Sequence, residues 1–287
     1  MTESNKKSSS SKETEENKKV KEHSEMTFLE HLEELRWHII RSLLAAIVFT
    51  VVAFIEKNIL FDYIIFKPTR PDFATYRFFS DLGKIFKIDS LNMSPKAVTF
   101  KNLEMAGQFT THIEISFVAG LIMACPYILY EFWKFISPAL YPNERKNVTS
   151  AAFVTSFLFL LGVAFGYYVI LPMSFQFVMG YEISSAVENT FLLSSYMSML
   201  CSIALSTGVV FELPVLSFFL SKVGILKPAL MRNYRRYAYV ILLFIAAIIT
   251  PPDVVSQILV SLPLIILYEI SIYISARINK KREAAES

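Results

Sequence analysis

The chain has 287 residues, 54% of them hydrophobic and 14% aromatic, with only 8 Gly and a formal charge of +3. That balance excludes an ordinary soluble globular domain and points to a polytopic membrane protein. Its two cysteines, Cys125 and Cys201, both fall in apolar runs. They read as small buried hydrophobes and not as a disulfide framework or a thiolate metal site.

Residues 1–25 are Ser, Lys and Glu with hardly an apolar side chain. Such a segment cannot offset the entropy of ordering and is expected to be a disordered tail. The first long apolar run starts near His38 without a small-residue cleavage pattern after it, so the first span is expected to stay in the mature protein. Between them lies MTFLEHLEELRWHIIRSLL, Met26 to Leu44. Thr27 and Glu30 have the form of a capping box, and Phe28, Leu32, Leu35 and Ile39 share one helical face. The plain reading is an amphipathic helix on the membrane surface, with Glu33, Glu34 and Arg36 solvated off the stripe. The sharper reading is an acid-rich dock for a cationic peptide.

Apolar segments then recur at about 38–55, 109–130, 149–171, 196–220, 237–250 and 254–275, which predicts six spans. The expected organisation is a tail over 1–25, a membrane domain over 26–276 and a second tail over 277–287. A long external loop, 56–107, carries eight Lys/Arg and six acids. Glu114 beyond it is expected to face water. The next loop, FWKFISPALYPNERK, has its backbone fixed by Pro138 and Pro142, and a fixed backbone can aim Glu144. In the fourth run, STGVVFELPVLSFFL, a carboxylate, Glu212, stands next but one to Pro214 deep in apolar sequence. The fifth run is closed by Arg235-Arg236 and Pro251-Pro252. As a helix it covers about 21 Å against a hydrocarbon core of about 30 Å. In the last run Glu269 lies about two turns before Arg277 and is expected to reach the interface.

Lys and Arg alternate by loop: three in 131–148, none in 172–195, five in 221–236, none in 250–253 and four in the C-terminal tail. The positive-inside rule then places both termini in the cytoplasm, and the long first external loop is of the kind that translocates regardless of charge. Trp37 and Trp133 are expected at the inner boundaries as interfacial aromatics. Catalysis is not expected. Asp253 is the only Asp after Asp89, the four His are scattered, and no HExxH, GxSxG or Walker loop occurs.

FLEHLEELR, CPYILYEFWKFISPALYPNERK, FELPV, TPPDVVSQ and LPLIILYEI resemble, in order and spacing from Phe28 to Arg277, the TatC family of the twin-arginine protein translocase. The resemblance implies an all-α, six-span concave bundle with two short C-terminal spans that binds the twin-arginine signal peptides of folded passengers without covalent chemistry or a cofactor. It assigns signal-peptide contact to Glu34 and Glu144, with Arg36 and Pro138 shaping the same surface. Bidentate pairing of each carboxylate with a guanidinium accounts physically for a preference for Arg over Lys. TatA-like and TatB-like single-span partners would dock along the fifth span near Thr250 and Gln257, with Asp253 ordering the external turn. The implied location is a bacterial inner membrane, in a multimeric complex with no nucleic acid. A different class remains open: a secondary transporter in which Glu212 carries a proton.

Overall fold

The structure, a computed structural model, describes residues 28–86, 98–139, 148–184, 186, 189–250 and 254–286. Among them no β-strand occurs. A single isolated parallel bridge ties Lys101 to Leu192, with Lys101 N–H donating to Phe191 O at 2.9 Å and Leu193 N–H to Lys101 O at 3.0 Å.

The first element, α1, runs unbroken over Phe28–Ile55. The expected surface helix and the first span are therefore one rod, because no Gly or Pro interrupts the run. Leu32 and Ile39 remain 44% and 55% exposed while His38 is buried, so the apolar stripe faces outward and the polar face meets protein. Thr27 of the expected capping box lies outside the described residues.

The chain then forms a π-helical stretch, Ile59–Ile65, a 3-10 turn, Lys67–Thr69, and α2, Ala74–Phe86, which cap one end of the bundle. Tyr76 is buried there and its hydroxyl donates to Pro68 O at 2.9 Å. The hydrogen bond from Lys67 Nζ, 2.5 Å from Asp72 Oδ2, holds the Asp72 carboxyl below the usual carboxylate range.

Next come α3, Gly107–Ile136, and α4, Val148–Phe165, which continues through a π-helical stretch at Gly166–Ile170 into α5, Leu171–Gly180. The fourth apolar run is not one helix. It divides into α6, Leu193–Val210, and α7, Leu213–Lys222. After a short α8, Pro228–Asn233, α9 spans Arg235–Ile249 and α10 spans Val254–Glu286.

Among the described residues, five segments are long and apolar enough to cross a bilayer: His31–Ile55, Gly107–Ile136, Val148–Gly180, Leu193–Lys222 and Gln257–Lys280. The expected fifth span, α9, has only 15 residues, about 22 Å of helix at 1.5 Å per residue. The last span is not short like the fifth: Gln257–Lys280 alone gives 24 residues, and α10 carries on as helix to Glu286.

Helix α1 packs mainly on α3, α3 on α4, α4 on α6, and α10 on α7 and α9. Small residues permit the closest approaches, as is usual where lipid removes the hydrophobic drive between helices. A Cβ at Gly120 would stand 2.5 Å from Thr50 Cα, and one at Gly162 2.6 Å from Thr207 O. Cys125 and Cys201 are buried free thiols in this interior. An apolar groove of about 500 Å³ opens between α1, α3, α4 and α6, walled by Ala53, Ile115, Val118, Ala164 and Leu200.

Candidate functional site

Two polar clusters interrupt the apolar bundle. The first lies where α1 begins and α3 ends. On α1, His31, Glu34, His38 and Arg41 recur at three- and four-residue steps and so share a face; on α3, Tyr127, Glu131 and Phe135 do the same. Glu131 and His38 are 3% and 5% exposed, yet they satisfy one another, with His38 Nδ1–H donating to Glu131 Oε2. Tyr127 hydrogen-bonds to the same carboxylate, and Arg41 Nη1 approaches it to 3.8 Å. Burying a carboxylate without such partners would cost several kcal/mol. Phe135 closes the cluster, stacked on His31 at 4.6 Å and edge-on to His38 at 6.0 Å.

Glu34 stands at the mouth of this cluster. Its Oε1 lies 3.9 Å from His38 Nε2, longer than a hydrogen bond, and its side chain is 35% exposed. Its Oε2 makes no hydrogen bond among the described residues. Arg36 points away from α3 and is exposed. Pro138 lies in the 3-10 turn Ser137–Ala139 that ends α3. Pro142 and Glu144 lie outside the described residues. Trp133 departs from expectation. Trp37 is 52% exposed as an interfacial ring should be, but Trp133 is 4% exposed and donates to Thr155 Oγ1 at 2.9 Å. It is an interhelical strut between α3 and α4, because α3 turns that face inward.

The second cluster is the break between α6 and α7. Phe211 N–H still reaches Thr207 O at 3.0 Å, but Glu212 N–H turns to Val209 O at 3.1 Å. Pro214 sits in the first turn of α7, where its missing N–H costs nothing. The Glu212 carbonyl restarts the helix by accepting from Val215 and Leu216 at 3.0 and 2.9 Å. The Glu212 carboxylate lies half-buried, and neither of its oxygens has a hydrogen-bond partner of ordinary geometry among the described residues.

The α9–α10 hairpin gathers the remaining expected residues. Thr250 is 6% exposed and its hydroxyl donates back to Ala246 O at 3.0 Å. Gln257 Nε2 donates to Leu243 O at 3.3 Å, tying the two helices together. Asp253 lies outside the described residues. Glu269, expected only to reach the interface, is instead paired with Arg235 Nη2 at 2.9 Å and hydrogen-bonded by Tyr239. Glu114 is exposed, as expected.

The sequence reading assigned no role to Glu131, and used His38 only to mark a boundary. The available signal was spacing: acids and histidines repeating at helical intervals off an apolar stripe.

Five bilayer-length apolar helices among the described residues define a multi-pass membrane protein. The family model described as "Sec-independent protein translocase protein (TatC)" matches residues 30–263, and the chain belongs to that family, a component of the Sec-independent protein translocase. It is 43% identical over 263 residues, 91% of this chain and 99% of the relative, to the TatC protein of Blattabacterium sp. subsp. Periplaneta americana. To TatCy of Bacillus subtilis it is 32% identical over 265 residues, 92% of this chain and 94% of that one. A crystal structure of the twin arginine translocase receptor TatC aligns with a TM-score of 0.62 at 30% identity, covering 87% of this chain and 99% of the other. A second, in DDM, aligns with a TM-score of 0.67 at 30% identity over 85% and 99%.

Proposed function

We propose that this chain is the receptor subunit of its translocase, binding twin-arginine signal peptides of folded passengers at a cytoplasmic surface built from Glu34, Glu144 and Arg36. The observation that carries this reading is Glu34: a carboxylate at the end of a rigid helix, its side chain partly exposed and its buried Oε2 without a hydrogen-bond partner among the described residues. A guanidinium supplies two parallel donors to such a group, which an ammonium cannot. Both termini are cytoplasmic in this reading, with α9 completing a sixth, thin crossing of a bacterial inner membrane. TatA-like and TatB-like single-span proteins dock along α9, where covering a helix shorter than the bilayer relieves mismatch. Glu212 acts as a polar spot within the membrane. Its two oxygens, without a hydrogen-bond partner of ordinary geometry among the described residues, equally suit the alternative in which it carries a proton for a secondary transporter.

Photo-cross-linkers placed at positions 34 and 144 test the receptor reading. A twin-arginine signal peptide should cross-link from both, and a peptide with both arginines replaced by lysine should not. Equal capture of the two peptides refutes the site.

A further inference from the structure

The cluster behind Glu34 has a feature that the receptor reading does not use. A buried acid, Glu131, collects three donors: the His38 imidazole, the Tyr127 hydroxyl and, at 3.8 Å, the Arg41 guanidinium. We propose that Glu131 is a positioning residue that keeps Glu34 open to an incoming arginine by holding His38 and Arg41, the two donors of α1 that would otherwise close onto Glu34.

The geometry makes that competition concrete. His38 and Arg41 follow Glu34 by four and seven residues on one helix face, and helical side chains lean toward the N-terminus, which aims both at Glu34. His38 Nε2 already stands 3.9 Å from Glu34 Oε1. An acid four residues before a donor is the favourable order for pairing along a helix. In spite of this, Glu34 Oε2, a buried oxygen, has no hydrogen-bond partner among the described residues, while His38 Nδ1 and the Arg41 guanidinium face Glu131 across the helix interface. The division of donors between two acids, one buried and saturated and one partly exposed and under-used, is what a receptor for a guanidinium needs. A Glu34 already neutralised by its own helix would have to lose that pair before binding peptide.

The inference rests on the reading of Glu34 as a peptide ligand, and the experiment separates the two. Full-length protein in lipid nanodiscs is titrated with a fluorescent synthetic twin-arginine signal peptide. Glu131→Gln keeps the shape and an acceptor for His38 but releases Arg41, and should weaken binding roughly tenfold, or about 1.4 kcal/mol. Adding His38→Asn and Arg41→Gln to Glu131→Gln should restore affinity to near the wild-type value, an effect that loss of packing cannot produce. Carbodiimide labelling read by mass spectrometry gives a second measure, with Glu34 reactive in the wild type and protected in Glu131→Gln. Wild-type affinity in Glu131→Gln, no recovery in the triple variant, or unchanged Glu34 labelling each overturns the proposal. Wild-type affinity in Glu34→Gln overturns the receptor reading itself.

Discussion

Replacing Gly120 by alanine tests whether the contact between α1 and α3 sets the site. The added Cβ would meet Thr50 Oγ1 at 2.4 Å and Thr50 Cα and N at 2.5 Å. Two of the three obstructing atoms are backbone, so turning the Thr50 side chain, whose hydroxyl is held by Ala46 O at 2.8 Å, gives no relief. Carbon atoms settle at about 3.5–4.0 Å, so α1 must retreat by about 1 Å. A gap of that size forfeits a quarter to a half of each neighbouring contact, and overpacking of this kind costs about 1–3 kcal/mol. For a chain of this size that is a fall in melting temperature of roughly 3–10 °C. The Glu131 carboxylate lies eleven residues along α3 from Gly120, about 16 Å, so signal-peptide affinity should fall with stability. Thermal aggregation in detergent, followed by size exclusion, reads the first effect and the peptide titration the second. Gly180, beside which a Cβ would meet nothing within 4 Å, supplies the control: Gly180→Ala should be neutral or slightly stabilising. A Gly120→Ala protein as stable as the wild type would refute the backbone-contact argument.

If polarity and not charge matters at the α6–α7 break, Glu212→Gln should export a twin-arginine passenger nearly as well as wild type, while Glu212→Leu should bind the signal peptide yet translocate poorly. Full export by the Leu variant reduces the carboxylate to a structural role, and failure of both variants favours the proton-carrying alternative. Trp133→Phe removes the bond to Thr155 at 2.9 Å but leaves Thr155 donating to Ala151 O at 2.8 Å; with no orphan created, the loss should be about 1 kcal/mol, measured as a melting shift of a few degrees, and no shift would contradict the strut. Glu269→Gln breaks an ion pair whose side chains are 43% and 38% exposed, so it should cost no more than about 1 kcal/mol in the same assay. Cysteines along the exposed α9 face at Tyr237, Phe244 and Ile248 should form disulfides with cysteines in a single-span partner; cross-links confined to α1 would place the docking edge elsewhere.

The long spanning helices were legible because each follows an apolar run, and the break between α6 and α7 has its signal in Pro214, two residues after Glu212, whereas α2, α8 and the π-helical stretch at Gly166–Ile170 had none. What escaped the sequence were pairings between residues far apart in the chain. His38 and Glu131 are separated by 93 residues, and Arg235 and Glu269 by 34. Periodicity identifies a face of a helix but not the helix it meets. The reading of α1 went wrong for a more general reason. In water an apolar stripe marks the face that packs and a polar face is solvated, so Glu33, Glu34 and Arg36, off the stripe of Leu32, Leu35 and Ile39, read as solvated. A bilayer removes that asymmetry, since lipid accepts the apolar stripe and only polar or small groups gain by meeting another helix. On α1 the interior is the face of His31, Glu34 and His38, while Glu33 and Arg36 stay exposed. The same inversion explains why Trp133 is buried, why Gly120 lies against Thr50, and why Glu131, which the hydropathy reading leaves in the 131–148 loop, is buried against α1.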